Sequence, residues 1–193
     1  MQKVLLATLF STLSCIGCTQ PSNASDHANE DRSQTAATQS VARATLCQPD
    51  ETVIFSCRIH SSGKLASLCA AKDFGKNSGA TVRYAFGKPG TVELRFPEKA
   101  EPAPGSFKRT HLVYAGATGG YAYTFTNGGF KYHVYSISGT GLEDQGIVVT
   151  QRGRVIAELK CDTPSVVLPE SANVIDALWK WPEDFEVAEH GLP

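Results

Sequence analysis

Histidines and a run of tyrosines are the residues of this chain whose types could do chemistry. A general base or a metal site needs imidazoles and carboxylates brought within reach of one atom. Of the five histidines, His111 and His133, with Glu143 or Asp144, form the set that could meet that need. The competing reading is a pair of solvent-facing strand histidines. His27 and His190 lie toward the chain ends and His60 falls at a turn. Glu143 and Asp144 are adjacent, so on a strand they face opposite sides and make a poor dyad. No G-x-S-x-G, H-E-x-x-H, phosphate-binding loop or G-x-G-x-x-G occurs, and Gly139-Thr140-Gly141 reads as a turn. The chain reads as non-catalytic, without cofactor or resident metal.

Binding chemistry is more credible. Tyr121, Tyr123, Phe125, Phe130 and Tyr132 form an aromatic ladder, either a platform for a glycan or peptide or simply core. A buried tyrosine hydroxyl needs a partner, which favours a rim or a wet interior over a dry centre. Lys131, His133 and Tyr135 alternate with the ladder. With Arg109 and His111 beside them, they would make a mildly basic surface, facing an acidic partner or only solvent. The candidate binding set is Tyr121, Tyr123, Tyr132, Lys131, His133 and Tyr135. The formal net charge of −1 makes no case for nucleic acid.

The elements that must position these residues are strands. Apolar and polar residues alternate at a period of two near 52–60, 64–71, 80–87, 91–97, 109–116, 120–126, 129–137, 145–151 and 153–161. Short glycine-bearing loops between them mean antiparallel neighbours. The expected fold is all-β, an antiparallel meander forming a small β-barrel, with a two-sheet sandwich as the alternative. Asn127-Gly128 reads as the centre of a tight turn that pairs Phe125 with Phe130 and Tyr123 with Tyr132. Val82, Tyr84 and Phe86 match Phe96, Leu94 and Val92 across a Lys88-Pro89-Gly90 loop. A Ser62-Gly63 turn puts Phe55, Cys57 and Ile59 on one face, with Cys69 facing the other way. Val174, Ile175, Leu178 and Trp179 predict a short helix over Asn173–Lys180 that packs Trp179 and Trp181 onto the domain. The end from Glu183 reads as loose.

Met1-Gln2-Lys3 and the uncharged apolar run from Val4 to Leu13 form an export signal too short to span a bilayer permanently. Cys15-Ile16-Gly17-Cys18 is similar to a bacterial lipobox, which implies acylation of Cys18, with Cys15 as the alternative. Thr19 after Cys18 implies an outer-membrane anchor; a soluble periplasmic protein is the other outcome. Residues 19–43 carry almost no apolar residue larger than alanine and read as a disordered tether. The β domain is expected over 44–165 and a packed extension over 166–193. Four further cysteines in an exported domain read as two disulfides. If Cys57 and Cys69 face apart and the first and last strands meet, the pairs are Cys57–Cys161 and Cys47–Cys69. A three-residue loop would instead allow Cys57–Cys69 with Cys47–Cys161.

Phe55-Ser56-Cys57, Gly119-Gly120-Tyr121-Ala122-Tyr123 and Arg154-Val155-Ile156-Ala157-Glu158-Leu159-Lys160-Cys161 resemble segments of the membrane-bound inhibitors of c-type lysozyme. The resemblance implies an eight-stranded barrel, a lipid anchor, and a disulfide between the first and last strands. It also implies an envelope or extracellular protein partner. That family's key serine corresponds to Gly119, and the lysine of its second motif has no counterpart in Tyr135-Ser136-Ile137-Ser138-Gly139; Tyr123 carries over. The expected function is thus a non-catalytic envelope lipoprotein that binds a protein partner. The alternative is a ligand- or glycan-binding barrel with an aromatic interior.

Overall fold

The computed structural model describes residues 44–193 except Ser78. The expected signal peptide, the tether, Cys15, Cys18 and His27 lie outside the described residues.

Each alternating segment is a strand. They are β1 (Glu51–Arg58), β2 (Leu65–Ala71), β3 (Val82–Lys88), β4 (Thr91–Phe96), β5 (Lys108–Val113), β6 (Gly119–Asn127), β7 (Phe130–Gly139), β8 (Leu142–Gln151) and β9 (Arg154–Lys160). They form two antiparallel sheets, β1-β2-β3-β4 and β5-β6-β7-β8-β9, so the expected alternative, a sandwich, is the fold and the barrel does not close. Among the described residues, backbone hydrogen bonds join strand ends of the two sheets on one side only. There Ile59 bridges Cys161, His60 N–H donates to the Lys160 carbonyl at 2.9 Å, and Asp162 N–H donates to Arg58 at 2.7 Å. On the other side Pro97, Pro102 and Pro104 lie between β4 and β5. A proline cannot donate to a ladder, and no ladder forms between these strands.

The inner faces meet through aromatic rings. Phe125 stacks on Tyr132 at 4.8 Å and on Phe96 at 4.7 Å, and Tyr84 packs 5.0 Å from Phe125. Three hairpins differ from expectation in partner but not in face. Phe125 opposes Tyr132 and Tyr123 opposes Val134, because Gly128 and Gly129, both at positive φ, form the turn centre in place of Asn127-Gly128. Glycine enters that region without a Cβ clash, so the Gly-Gly pair is the cheaper centre. Tyr84 opposes Phe96 and Phe86 opposes Leu94, with a bulge before Gly87. Cys57 opposes Ala66 across a four-residue loop, since Ile59 N–H donates to the Lys64 carbonyl. At these pairs each shift is by two residues, which preserves the side-chain faces; bulges at Val53–Phe55 and Phe86–Gly87 change the register beyond them.

Gly120 on β6 is a point of close approach. A Cβ there would sit 1.9 Å from the Ser136 carbonyl oxygen. Gly120→Ala is expected to lose at least about 1–3 kcal/mol by overpacking. Urea denaturation checks this, and a change below about 0.5 kcal/mol would show that the β6–β7 pair yields freely.

Two helices follow the strands: α1 (Ala172–Trp179) and α2 (Phe185–His190). Val174 and Leu178, four apart on one face of α1, are buried in the inter-sheet core beside Trp181. Trp179 is instead 53% exposed, contrary to the expected packing of both tryptophans. The expected loose end is ordered too. Val187 of α2 packs with Leu112, Ala122, Tyr135, Ile137 and Val148, covering the outer face of the five-stranded sheet. The middle of that sheet is thus covered on both sides, while most of β9 stays exposed.

Candidate functional site

The aromatic ladder is mostly core. Tyr123 is 1% exposed and Phe125 is also buried, so an open aromatic interior is absent between the sheets. At the Tyr121 end, the inner face of the five-stranded sheet meets the stretch from Leu168 to Trp179 rather than the other sheet. There a cleft of about 440 Å³ is lined by Arg109, His111, Tyr121, Tyr123, Leu168 and Trp179, among others. The volume lies in the range of small-molecule sites.

The register explains the assembly. β5 pairs with β6, so Arg109 opposes Tyr123 and His111 opposes Tyr121. Arg109 and His111 therefore share the tyrosine face, and the expected surface joining them to Lys131 and His133 does not exist. Arg109 backbone N–H donates to the Pro182 carbonyl at 2.9 Å, which ties β5 to the segment after α1. Its guanidinium carbon lies 4.2 Å from the Trp179 ring centre and 5.0 Å from that of Tyr121. The His111 ring meets Trp179 edge-on at 5.3 Å. Gly119 and Gly120 supply floor without side chains.

Three polar atoms here, Arg109 Nε and the hydroxyls of Tyr121 and Tyr123, are closed off from solvent without a well-placed hydrogen-bond partner, although Ser136 stands close enough to Tyr121, and Arg109 to Tyr123, to lower those phenols. Burial pushes the Tyr121 phenol up to about 12, against a smaller opposing pull from Ser136 and Arg109. Burial raises Tyr123 further, Tyr121 adds to this, and Arg109 partly offsets it. Both phenols are therefore neutral at physiological pH. Unsatisfied buried polar groups are rare in folded proteins and costly when they occur.

The remaining expected binding residues belong elsewhere. Tyr132 stacks in the core, with burial raising its phenol's pKa. Lys131, His133 and Tyr135 lie on the outer face beneath the C-terminal segment, and His133 and Tyr135 are each 2% exposed. Lys131 Nζ bridges Asp184 at 2.8 Å and Glu186 at 2.7 Å. Thr124 also donates to Asp184, at 2.7 Å. Burial opposes the charge on both Lys131 and Asp184, yet these bonds outweigh it, so the lysine's pKa is raised and the carboxyl's is lowered. Lys160 donates to the Tyr135 hydroxyl at 2.7 Å, and that hydroxyl donates to Asp144 at 3.1 Å. The Tyr135 ring fits because Gly146 has no Cβ, which would sit 2.9 Å from the hydroxyl. Lys131 and Tyr135 are thus paired with neighbouring groups, whereas His133 Nδ1 has no partner. His111 and His133 lie on opposite faces of one sheet and do not meet.

The cysteines pair as Cys47–Cys69 and Cys57–Cys161. Cys47, Glu51 and Cys69 are the group of metal-ligand types that cluster among the described residues. Both sulfurs are in the disulfide and Glu51 pairs with Arg83, so no thiolate is on offer there. The reading of the sequence missed Trp179, Leu168 and the cleft role of Arg109. Trp179 signalled itself only weakly, as a helix residue off the Val174–Leu178 face.

The chain matches no protein-family model, no curated protein and no solved structure.

Proposed function

We propose that this chain is a non-catalytic bacterial envelope lipoprotein, anchored through Cys18, whose sandwich binds a small ligand in the Arg109–Tyr121–Trp179 cleft. The observation that carries the reading is the Arg109 guanidinium, which lines the cleft against the Trp179 ring and has no carboxylate partner among the described residues. A ligand that paired it would remove a standing cost, which is a source of affinity. Half-exposed Trp179 offers an aromatic contact at the mouth. The protein-partner alternative leans on Tyr123, and that side chain is buried.

The test is a thermal-shift screen of the full chain, purified in detergent, against small acids, amines and neutral sugars. At least one class is expected to stabilise it by about 3 kcal/mol at a hundredfold excess over Kd. Trp179→Ala should abolish the shift. A screen in which nothing binds, or in which Trp179→Ala binds as well as the parent, would contradict the reading. Nanomolar inhibition of a lysozyme, unchanged by Trp179→Ala, would replace it with the protein-partner function.

A further inference from the structure

The cleft's geometry also selects among ligands, and this step rests on the reading just given. The Arg109 guanidinium lies against two rings, 4.2 Å from Trp179 and 5.0 Å from Tyr121. A guanidinium held by aromatic rings has its in-plane N–H edge left for other partners, and that edge matches a carboxylate with two parallel hydrogen bonds. Among the described residues no carboxylate forms an ion pair with Arg109, although the residue is only 8% exposed. Every other buried or half-buried cation of the outer face or the first sheet has one: Lys131 has Asp184, and Arg83 has Glu51.

The surrounding groups narrow the choice. The two phenols beside the cation are neutral and closed off from solvent, so Arg109 supplies the charge there. Leu168, Pro169, Ile175 and Leu178 form an apolar wall, and Gly119 and Gly120 present no side chain. Arg109 balances a single negative charge. A phosphate monoester would bring a second charge for which the cleft lining holds no second permanent cation, only His111, at a cost in a low-dielectric site. The apolar wall and the Trp179 ring ask for a flat or aromatic body rather than a polyol.

We infer that the cleft binds a small monocarboxylic acid with a planar apolar body, its carboxylate on the edge of Arg109 and its body against Trp179 and Leu168. The competing explanation is that Arg109 is only a packing residue that holds Trp179 against the sheet. That explanation gives no preference between an acid and its amide.

The probes are benzoate and indole-3-acetate against benzamide and indole-3-acetamide, with phenyl phosphate as a further arm. Binding to the full chain is read by calorimetry and by tryptophan fluorescence. Each acid is expected to bind saturably and at least tenfold more tightly than its amide. Arg109→Gln should weaken the acids about tenfold to a hundredfold and leave the amides nearly unchanged. Arg109→Lys, which keeps the charge and loses the fork, should recover only part of the loss. The acid–amide comparison on the unaltered chain needs no variant to fold. Equal binding of acid and amide would overturn the inference while leaving a neutral-ligand cleft intact. Tighter binding of phenyl phosphate than of benzoate would overturn the carboxylate assignment. Failure of both acids, with some other class positive in the screen, would also overturn it.

Discussion

Replacing Cys57 and Cys161 together by alanine is expected to lower the unfolding free energy by about 5 kcal/mol, the largest effect of any change considered for this domain. The bond links residues 104 apart in sequence, whereas Cys47–Cys69 spans 22. Longer loops lose more entropy when closed in the unfolded chain, so the second pair should be worth about 3 kcal/mol. Position adds to the difference. Cys57 is fully buried at the one side where the two sheets join, and Cys161 ends the bridge to Ile59. Urea titrations of both double variants under non-reducing conditions check the order. A larger loss from the Cys47–Cys69 pair would contradict it. Such a bond persists in an oxidising compartment, the kind that the export proposed for this chain would reach.

Acid is expected to destabilise the domain in two stages. His133 is buried on the outer face, with its Nδ1 unpartnered and its Nε2 3.5 Å from the Thr150 hydroxyl. Burial lowers its pKa to about 4, Lys131 adds to the fall, and Asp184 and Glu186 oppose it. His190 and the chain end from Gly191 to Pro193 complete its surroundings. Above pH 6.5 the ring is neutral in both folded and unfolded chains and has no effect on stability. Between pH 6.5 and about 4 the unfolded chain takes up the proton and the folded one does not, so stability falls as pH falls. The full difference is about 3 kcal/mol, at about 1.4 kcal/mol per pKa unit. Asp184, whose pKa is lowered, adds a second stage: its stabilisation is present above the ordinary carboxyl value of 3.8 and is lost as pH falls through the folded one. His133→Gln should remove the first stage and retain the second. Chemical denaturation at pH 7, 5.5 and 4.5 reads the slope, and a variant with the parental slope would assign it to another group.

Strand positions were legible because alternation at a period of two depends only on neighbouring residues and on which face is buried. Side-chain faces were legible for the same reason, even where partners were not. Phe125 meets Tyr132 and not Phe130, but both lie on the face expected of them. The choice between barrel and sandwich turned on the proline-bearing stretch between β4 and β5, whose effect on pairing no period reports. The helix over Phe185–His190 was illegible because its acidic sequence offers one buried side chain, Val187, and no apolar stripe. Its place is set by the distant partners Thr124 and Lys131. The cleft was hidden in the same way. Arg109 and Trp179 lie far apart in the chain and meet only because Pro182 returns to β5.

The measurement that tests the account most directly is a titration of the labelled full chain with benzoate, followed by the side-chain N–H signals of its two tryptophans and of Arg109. Trp179 stands at the cleft mouth and Trp181 is 6% exposed in the core, so the pair carries its own control. The account predicts saturable shifts of the Trp179 indole and the Arg109 Nε–H, with Trp181 nearly still. Saturable shifts at Trp181 or elsewhere, with Trp179 and Arg109 unmoved, would contradict it.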